Sequence, residues 1–159
     1  DCLLSRGLGD VYKRQILNGE NVNPYLRTEK TGNAASVISA YAGVREKLLM
    51  LQHQLGKEHN VVMDGRDIGT VVLPDARVKI FLTAAPEIRA KRRYDELCAK
   101  GVQTTFEEVL ADLNKRDYDD SHRETAPLKQ AEDAVLADTS GLDFDQSCQL
   151  VCDIIREKM

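Results

Sequence analysis

Residues 61–70 read VVMDGRDIGT, and this stretch decides how the rest of the chain is interpreted. Its apolar start, Val61–Met63, predicts a buried strand, so the polar residues that follow would stand at the carboxyl end of that strand. In open α/β sheets, ligands bind just beyond the carboxyl ends of strands. Arg66 beside Asp67 offers a forked donor next to an acceptor, which suits a group with both a phosphate and a polar ring edge. The alternative is a tight turn with an exposed Arg–Asp pair.

Strands and helices alternate on both sides of this stretch. Toward the N-terminus we expect a strand end followed by an Asn-Gly turn of the hairpin type in 16–22, a helix over Arg27–Ala42, and a helix over Gly43–Leu55 with Val44, Leu48, Leu51 and Leu55 on its apolar face. Toward the C-terminus we expect a strand at Val78–Leu82, a helix at Pro86–Lys100, a helix capped by Thr104 or Thr105, a strand at Ala134–Asp138, and a helix capped by Asp143. The alternation predicts an α/β fold, a parallel sheet with flanking helices in a single domain.

Composition narrows the class of protein. The chain has 159 residues, 42% of them hydrophobic and 30% charged, which suits one soluble domain with a core. A net charge of −4 argues against a nucleic-acid partner, and no apolar run reaches the roughly 20 residues that span a membrane. The four cysteines form no C-x-x-C pair, and we expect Cys148 and Cys152 to pack in the core of the last helix. We therefore expect a reduced, cytoplasmic protein.

The first fifteen residues show no helical or strand period. Residues 5–15 resemble the translation of an adapter used to prepare sequencing libraries, so we expect 1–15 to be a foreign scar and the native sequence to start near Ile16. The alternative is a natural disordered tail.

Three arginines share a face of the helix that starts at Pro86. Arg89, Arg92 and Arg93 are spaced at i, i+3 and i+4, so their charges repel. A bound anion would neutralise them, and the alternative is relief by Glu96.

The next helix carries a face that changes from apolar to charged. Its apolar stripe contains Phe106, Val109, Leu110 and Leu113. At helical spacing the stripe continues into Arg116, Asp120 and Arg123. The register favours an inward-facing charged site, and the alternative is an exposed Arg–Asp pair.

Such a set of residues suits phosphoryl transfer, in which positioning and electrostatic stabilisation by Arg, Lys and magnesium do most of the catalysis. Asp120 can accept hydrogen bonds from ribose hydroxyls, and Asp67 can accept one from an exocyclic amine. A hydrogen bond to a charged group contributes about 1.5–3 kcal/mol, enough to select one base over another.

With these residues the chain resembles bacterial cytidylate kinases, a family of nucleoside monophosphate kinases. The motifs that carry the resemblance occur in the family's order over 16–159 and are Leu17–Val22, Leu26–Thr28, Asn33–Ser36, Val44–Glu46, Asp64–Thr70, Leu73–Ala76, Lys79–Ala84, Arg116-Asp117, and Arg123 with Ala126–Leu128.

The resemblance implies transfer of a phosphoryl group from ATP to CMP or dCMP with Mg²⁺, by a protein that is monomeric when full length. It implies that Ser36, Arg45 and Asp67 contact cytosine. It implies that Arg66 and Arg123 hold the acceptor phosphate, and that Arg116 with Asp120 recognises the pentose. It also implies that Arg89, Arg92 and Arg93 begin a lid of about residues 86–125 that closes over the transferred phosphate.

One departure from the family stands out. The family opens with a Gly-rich phosphate-binding loop that ends in Gly-Lys-Ser or Gly-Lys-Gly, and these 159 residues contain none. We therefore expect a fragment with an acceptor site and lid but negligible kinase activity. The alternative is a non-catalytic nucleotide-binding module.

Overall fold

The computed structural model describes residues 16–26, 28–39 and 41–159, so the expectations for residues 1–15 and for Arg27 lie outside the described residues. The chain divides into two compact units between Asp64 and Gly65, and each unit is described by itself. The single domain expected over 16–159 stays a prediction.

The first unit starts with a hairpin and continues with helices. β1 (Ile16–Leu17) pairs antiparallel with β2 (Glu20–Asn21). Asn18 and Gly19 connect them with φ values of 51° and 87°, the left-handed conformations that an Asn-Gly hairpin turn uses. Three helices follow, α1 (Asn23–Leu26), α2 (Glu29–Ser39) and α3 (Ala42–Glu58). The predicted hairpin turn and both long helices are confirmed, although the first of these helices ends at Ser39.

The apolar side chains of the first unit are poorly covered. Val44, Leu48 and Leu51, three residues of the expected apolar face of α3, are 39%, 46% and 37% exposed. The run Val61–Met63 forms no strand, and Val62 is 69% exposed. The strand prediction was wrong because a strand needs a hydrogen-bonding neighbour and a covered face, and no described strand pairs with this run.

The second unit is built on a parallel strand pair. β3 (Ile80–Thr83) pairs with β4 (Val135–Asp138), with Ile80 opposite Val135 and Thr83 opposite Asp138. A parallel pair needs a long crossover, and here it contains α4 (Pro86–Ala99) and α5 (Phe106–His122). α6 (Phe144–Lys158) follows β4 and packs against it. These elements match the predicted ones within one or two residues, but the sheet of the described residues has two parallel strands where the sequence predicted three.

Among the residues whose burial the structure describes, the buried apolar side chains all belong to the second unit, and most are small. They are Val72, Ala84, Ala90, Val109, Ala137 and Ile154. Tyr94 of α4 and Phe106 of α5 add an edge-to-face contact with ring centroids 6.5 Å apart. Cys148 and Cys152 are exposed, so their predicted place in the core was wrong. At 100° per residue they lie on the side of α6 away from the buried Ile154.

The predicted helix starts are confirmed in detail. Thr105 Oγ1 accepts the Glu108 N–H at 3.3 Å, and Glu108 Oε2 accepts the Thr105 N–H at 2.8 Å, which makes a capping box for α5. The hydrogen bond from the Thr105 backbone lowers the pKa of the Glu108 carboxyl. Asp143 and Gln146 form the same box for α6. Among the described residues, no helix is long and apolar enough to cross a membrane.

Candidate functional site

Arg66 and Asp67 precede a single π-helical turn, Ile68–Val72. The carbonyl of Asp67 accepts the N–H groups of Thr70, Val71 and Val72 at 3.3, 2.9 and 3.2 Å. A Cβ atom at Gly65 would lie 2.9 Å from the Cγ1 atom of Ile68, so a larger residue would have to displace that side chain. Glycine at position 65 therefore leaves room for the Ile68 side chain.

Two arginines and two aspartates meet beside this turn, and we call Arg66, Asp67, Asp120 and Arg123 the Arg–Asp cluster. Arg66 Nε donates to Asp120 Oδ2 at 2.8 Å. The terminal nitrogens of Arg123 lie 4.0 Å from Asp67 Oδ1 and 3.9 Å from Asp120 Oδ1. The structure thus brings together four of the residues that the sequence assigned to the site. The cluster connects the turn to the end of α5.

The acidic and the basic side chains of the cluster differ in how exposed they are. The side chains of Asp67 and Asp120 are each 11% exposed, whereas Arg66 is 42% and Arg123 is 26% exposed. A buried carboxylate is costly unless it is paired, and the two guanidinium groups supply the pairing. The carboxylates therefore form the inner layer of the cluster, and the more accessible guanidinium groups form its outer layer.

Both guanidinium groups are anchored through Nε. Arg66 makes no hydrogen bond with its terminal nitrogens to any part of the chain that the structure describes. Arg123 Nε donates to the Ala126 carbonyl at 2.7 Å, while its terminal nitrogens stay beyond hydrogen-bond distance of the carboxylates. Each arginine therefore keeps N–H donors for an anion, the geometry that suits bidentate phosphate binding.

The segment after α5 holds a strained residue next to this cluster. Ala126 has a φ of 49°, a left-handed conformation that costs a non-glycine residue about 1–2 kcal/mol. Its carbonyl is the acceptor for Arg123 Nε, and the nearby Leu128 N–H donates to the Asp120 carbonyl at 2.7 Å. These bonds hold the strained segment against the end of α5, and no pattern in the sequence points to them.

The three arginines of α4 do not converge on one point. Arg89 donates from both terminal nitrogens to the Asp117 carboxylate at 3.1 and 2.7 Å, and from Nε to the Ala84 carbonyl at 2.9 Å. Arg92 Nη2 donates to the carbonyls of Thr139 and Leu142 at 2.6 and 3.0 Å. The two arginines therefore have separate partners, a carboxylate for Arg89 and neutral oxygens for Arg92.

Arg93 is the third arginine of this helix. It pairs with Glu96 at 2.9 Å on the exposed side of α4, which is the alternative that the sequence left open.

The other predicted site residues are less tightly placed. Arg116 is exposed and makes no hydrogen bond or ion pair with the described residues, so the expectation that it faces inward beside Asp120 was wrong. Asp120, one helical turn further along α5, is already paired with Arg66, and the long stem of Arg116 takes its charge to solvent. Ser36 lies in α2, but its side chain is outside the described part of the chain. Arg45 lies in the first turn of α3 and is half-buried.

Sequence reasoning missed Lys79, Asp117 and Asp133. Lys79 is the one charged residue in the apolar run Val78–Leu82, and its side chain is 8% exposed in an ion pair with Asp133. A lysine inside a predicted strand was a signal that could have predicted a buried ion pair. Asp117 sits beside Arg116 in the sequence, but only the packing of α4 on α5 shows that it binds Arg89.

Within the described ranges, no group of three or more His, Cys, Asp or Glu side chains could hold a metal ion.

A parallel strand pair with a helical crossover, carrying arginines and carboxylates that suit a phosphate, is consistent with part of a nucleoside monophosphate kinase fold. A family model of cytidylate kinases matches residues 7–157. The chain belongs to the cytidylate kinase family. The match starts inside residues 1–15, and the foreign origin expected for that stretch stays a prediction.

Bacterial relatives carry the same name. The chain is 54% identical to a cytidylate kinase of Bacteroides thetaiotaomicron over 88% of its own length and 59% of that protein. It is 48% identical to one from Thermosipho melanesiensis, over 90% of its own length and 66% of that protein. For one from Fervidobacterium nodosum the identity is 45%, over 99% of the chain and 72% of that protein. The chain therefore spans about three fifths to two thirds of the first two relatives.

Proposed function

We propose that this chain carries the acceptor site of a cytidylate kinase, which transfers a phosphoryl group from ATP to CMP or dCMP in pyrimidine nucleotide metabolism. The family match and the names of the relatives support this activity. The observation that supports it most is the Arg–Asp cluster, in which two guanidinium groups are fixed through Nε and keep terminal donors for a phosphate.

In the proposal, Arg66 and Arg123 bind the acceptor phosphate. The phosphate of CMP carries close to two negative charges at neutral pH, and two arginines can balance them while giving directed hydrogen bonds. Asp120 holds Arg66 in place at 2.8 Å and also accepts a hydrogen bond from the pentose. Asp67 accepts the exocyclic amine of cytosine, and Ser36 and Arg45 complete the contacts to the base.

The arginines of α4 act on the phosphoryl group in transfer. Arg89, Arg92 and Arg93 now pair with Asp117, backbone carbonyls and Glu96, so lid closure in this proposal exchanges those partners for phosphate oxygens. Their role is to stabilise the charge that spreads over those oxygens in the transition state and to exclude water. Magnesium enters as part of the ATP substrate.

We further propose that the full-length enzyme is a cytoplasmic monomer, with neither nucleic acid nor membrane as a partner. Cys98, Cys148 and Cys152 are free thiols, which fits a reducing compartment. The alternative, a non-catalytic nucleotide-binding module, is not favoured because the relatives named above are all cytidylate kinases.

The experiment is calorimetric titration of the 159-residue chain with CMP, dCMP and UMP. We expect saturable binding of CMP and dCMP, and UMP at least about tenfold weaker because a uracil carbonyl offers Asp67 no proton to accept. Loss of all saturable binding, in a sample whose circular dichroism shows folded helices, would contradict the proposed acceptor site.

A further inference from the structure

Lys79 is a buried charge outside the Arg–Asp cluster. Its side chain is 8% exposed, and its ammonium group donates to both carboxylate oxygens of Asp133, at 2.9 and 2.6 Å, and to the carbonyl of Pro74. Lysine is rarely buried, because an ammonium group loses its hydration inside a protein. Lys79 directly precedes β3, and an apolar residue there would avoid this cost, so the position calls for a specific reason.

The contacts of Lys79 point at the turn that carries Asp67. A Cβ atom on Gly69 would lie 3.5 Å from Lys79 Cδ, so the stem of the lysine passes directly under the middle of the π-helical turn. The ammonium group then binds the Pro74 carbonyl, just after that turn ends at Val72. One side chain therefore contacts both the centre of the turn and the segment beyond it.

The turn passes this restraint on to Asp67. The Asp67 carbonyl accepts three N–H groups from Thr70, Val71 and Val72, so the turn cannot shift without moving the backbone of Asp67. Arg66 is the next residue toward the N-terminus, and it reaches Asp120. Lys79 touches neither of these side chains, and its influence on them runs through the backbone.

Asp133 balances the charge from the solvent side. Its side chain is 63% exposed, and the hydrogen bond from Lys79 lowers the pKa of its carboxyl. Because Asp133 can remain hydrated while Lys79 is buried, the pair avoids the cost of desolvating two charges together.

We propose that Lys79 is a positioning residue, which fixes the turn at residues 68–74 so that Arg66 and Asp67 meet Asp120 and Arg123 in the geometry that binds the acceptor phosphate. The inference rests on the proposed function for the ligand, and on the described contacts for the restraint. A merely structural lysine would loosen the whole unit when replaced, whereas a positioning lysine loosens this turn first.

The test replaces Lys79 with Met, which keeps the stem and removes the charge. Lys91→Met is the matched control, because Lys91 is also ion-paired, with Asp95, but is 60% exposed on α4. Amide hydrogen exchange is followed at Thr70, Val71 and Val72, with Thr139, which bonds to Thr83 in the strand pair, as the reference. Affinity for CMP is measured on the same samples.

For Lys79→Met we expect exchange at the three turn amides to rise at least about tenfold with Thr139 unchanged, and the Kd for CMP to rise at least about fivefold. Lys79→Arg should restore most of both. Asp133→Asn, at an exposed site, should shift both in the same direction by about two- to threefold, which keeps the test valid if Lys79→Met does not fold.

Two results would overturn the inference and leave the proposed function intact. One is a uniform rise of exchange that includes Thr139. The other is a wild-type chain that binds CMP and a Lys79→Met chain that binds it equally well. Absence of CMP binding by the wild-type chain would instead refute the proposed function, and this inference with it.

Discussion

The second unit uses arginine in two different ways. In the Arg–Asp cluster, Arg66 and Arg123 are each anchored through Nε and keep their terminal nitrogens. On α4, Arg89 uses all three guanidinium nitrogens, two on Asp117 and one on the Ala84 carbonyl. The first arrangement leaves the donors that an anion needs. The second consumes them and joins α4 to α5.

This difference affects how a phosphate could reach each set of arginines. A phosphate can enter the Arg–Asp cluster without breaking an existing hydrogen bond of the terminal nitrogens. A phosphate that recruits Arg89 or Arg92 must first displace Asp117 or the carbonyls of Thr139 and Leu142. In the proposed function, the acceptor site is thus formed in advance, while the α4 arginines have to be released, which fits a lid that closes late.

The largest expected effect is on the rate of CDP formation, which tests the proposed role of the α4 arginines. The α4 arginines can act only on a phosphoryl group that is held in line, and the 159 residues contain no Gly-rich loop ending in Gly-Lys-Ser or Gly-Lys-Gly. We expect CDP formation from ATP and CMP to be at least about a thousandfold slower than with the Bacteroides thetaiotaomicron relative, because positioning supplies that much or more. A rate comparable to that of the relative would refute this expectation.

The second effect concerns Asp120, one of the two inner carboxylates of the Arg–Asp cluster. Asp120→Asn removes the charge that faces both Arg66 and Arg123, so we expect the free energy of unfolding to fall by about 2 kcal/mol. This figure is below that for a fully buried pair because Arg66 is 42% exposed. Urea unfolding followed by circular dichroism measures it. Asp119→Asn, one residue away and exposed, is the control and should change stability by less than about 0.5 kcal/mol.

The third effect tests whether the ion pair of Arg89 with Asp117 joins α4 to α5. Arg89→Gln breaks a two-pronged ion pair between α4 and α5 in which both side chains are 33% exposed. Solvent screening limits the loss, so we expect about 1 kcal/mol in the same urea experiment. The control is Arg156→Gln, whose ion pair with Asp153 is exposed on α6. A loss for Arg89→Gln no larger than that of the control would show that the Arg89–Asp117 ion pair does not stabilise the contact between α4 and α5.

The smallest effect is expected at the start of α5, the helix that contains Asp120 of the cluster. Thr105→Ala removes half of the capping box and should cost about 0.5–1 kcal/mol. The other half depends on pH. Because the folded-state pKa of Glu108 is lowered, its contribution is present above the ordinary value of 4.5 and is lost as the pH falls through the lowered pKa.

The acid-side stability of the wild type and of Glu108→Gln should therefore converge below that pH. Stability curves that stay parallel down to the acid limit would argue against the box.

Local signals predicted the helices and their caps well. Thr105 and Asp143 cap as expected because a capping box involves residues only three apart. The register that places Asp120 and Arg123 at the inward end of α5 also follows from helical spacing.

Long-range partners were beyond such reasoning. The apolar run at Val61–Met63 looks like a strand, but strand formation depends on a neighbour that the run itself does not encode. The pairs Arg66–Asp120, Arg89–Asp117 and Lys79–Asp133 join residues 54, 28 and 54 positions apart, so spacing could not reveal them. Arg116 shows the same limit, because Asp120 is paired with Arg66, a residue far away in the sequence.

The claim that Arg66 and Arg123 present donors to a phosphate has a direct test. Cytidine and CMP differ only in the phosphate, so calorimetry compares the two ligands on the wild-type chain and on the Arg66→Met/Arg123→Met chain. We predict that the wild type binds CMP about a hundredfold tighter than cytidine, and that the double variant reduces this ratio to about threefold or less with cytidine binding unchanged. A double variant that still prefers CMP by the wild-type ratio would contradict the account.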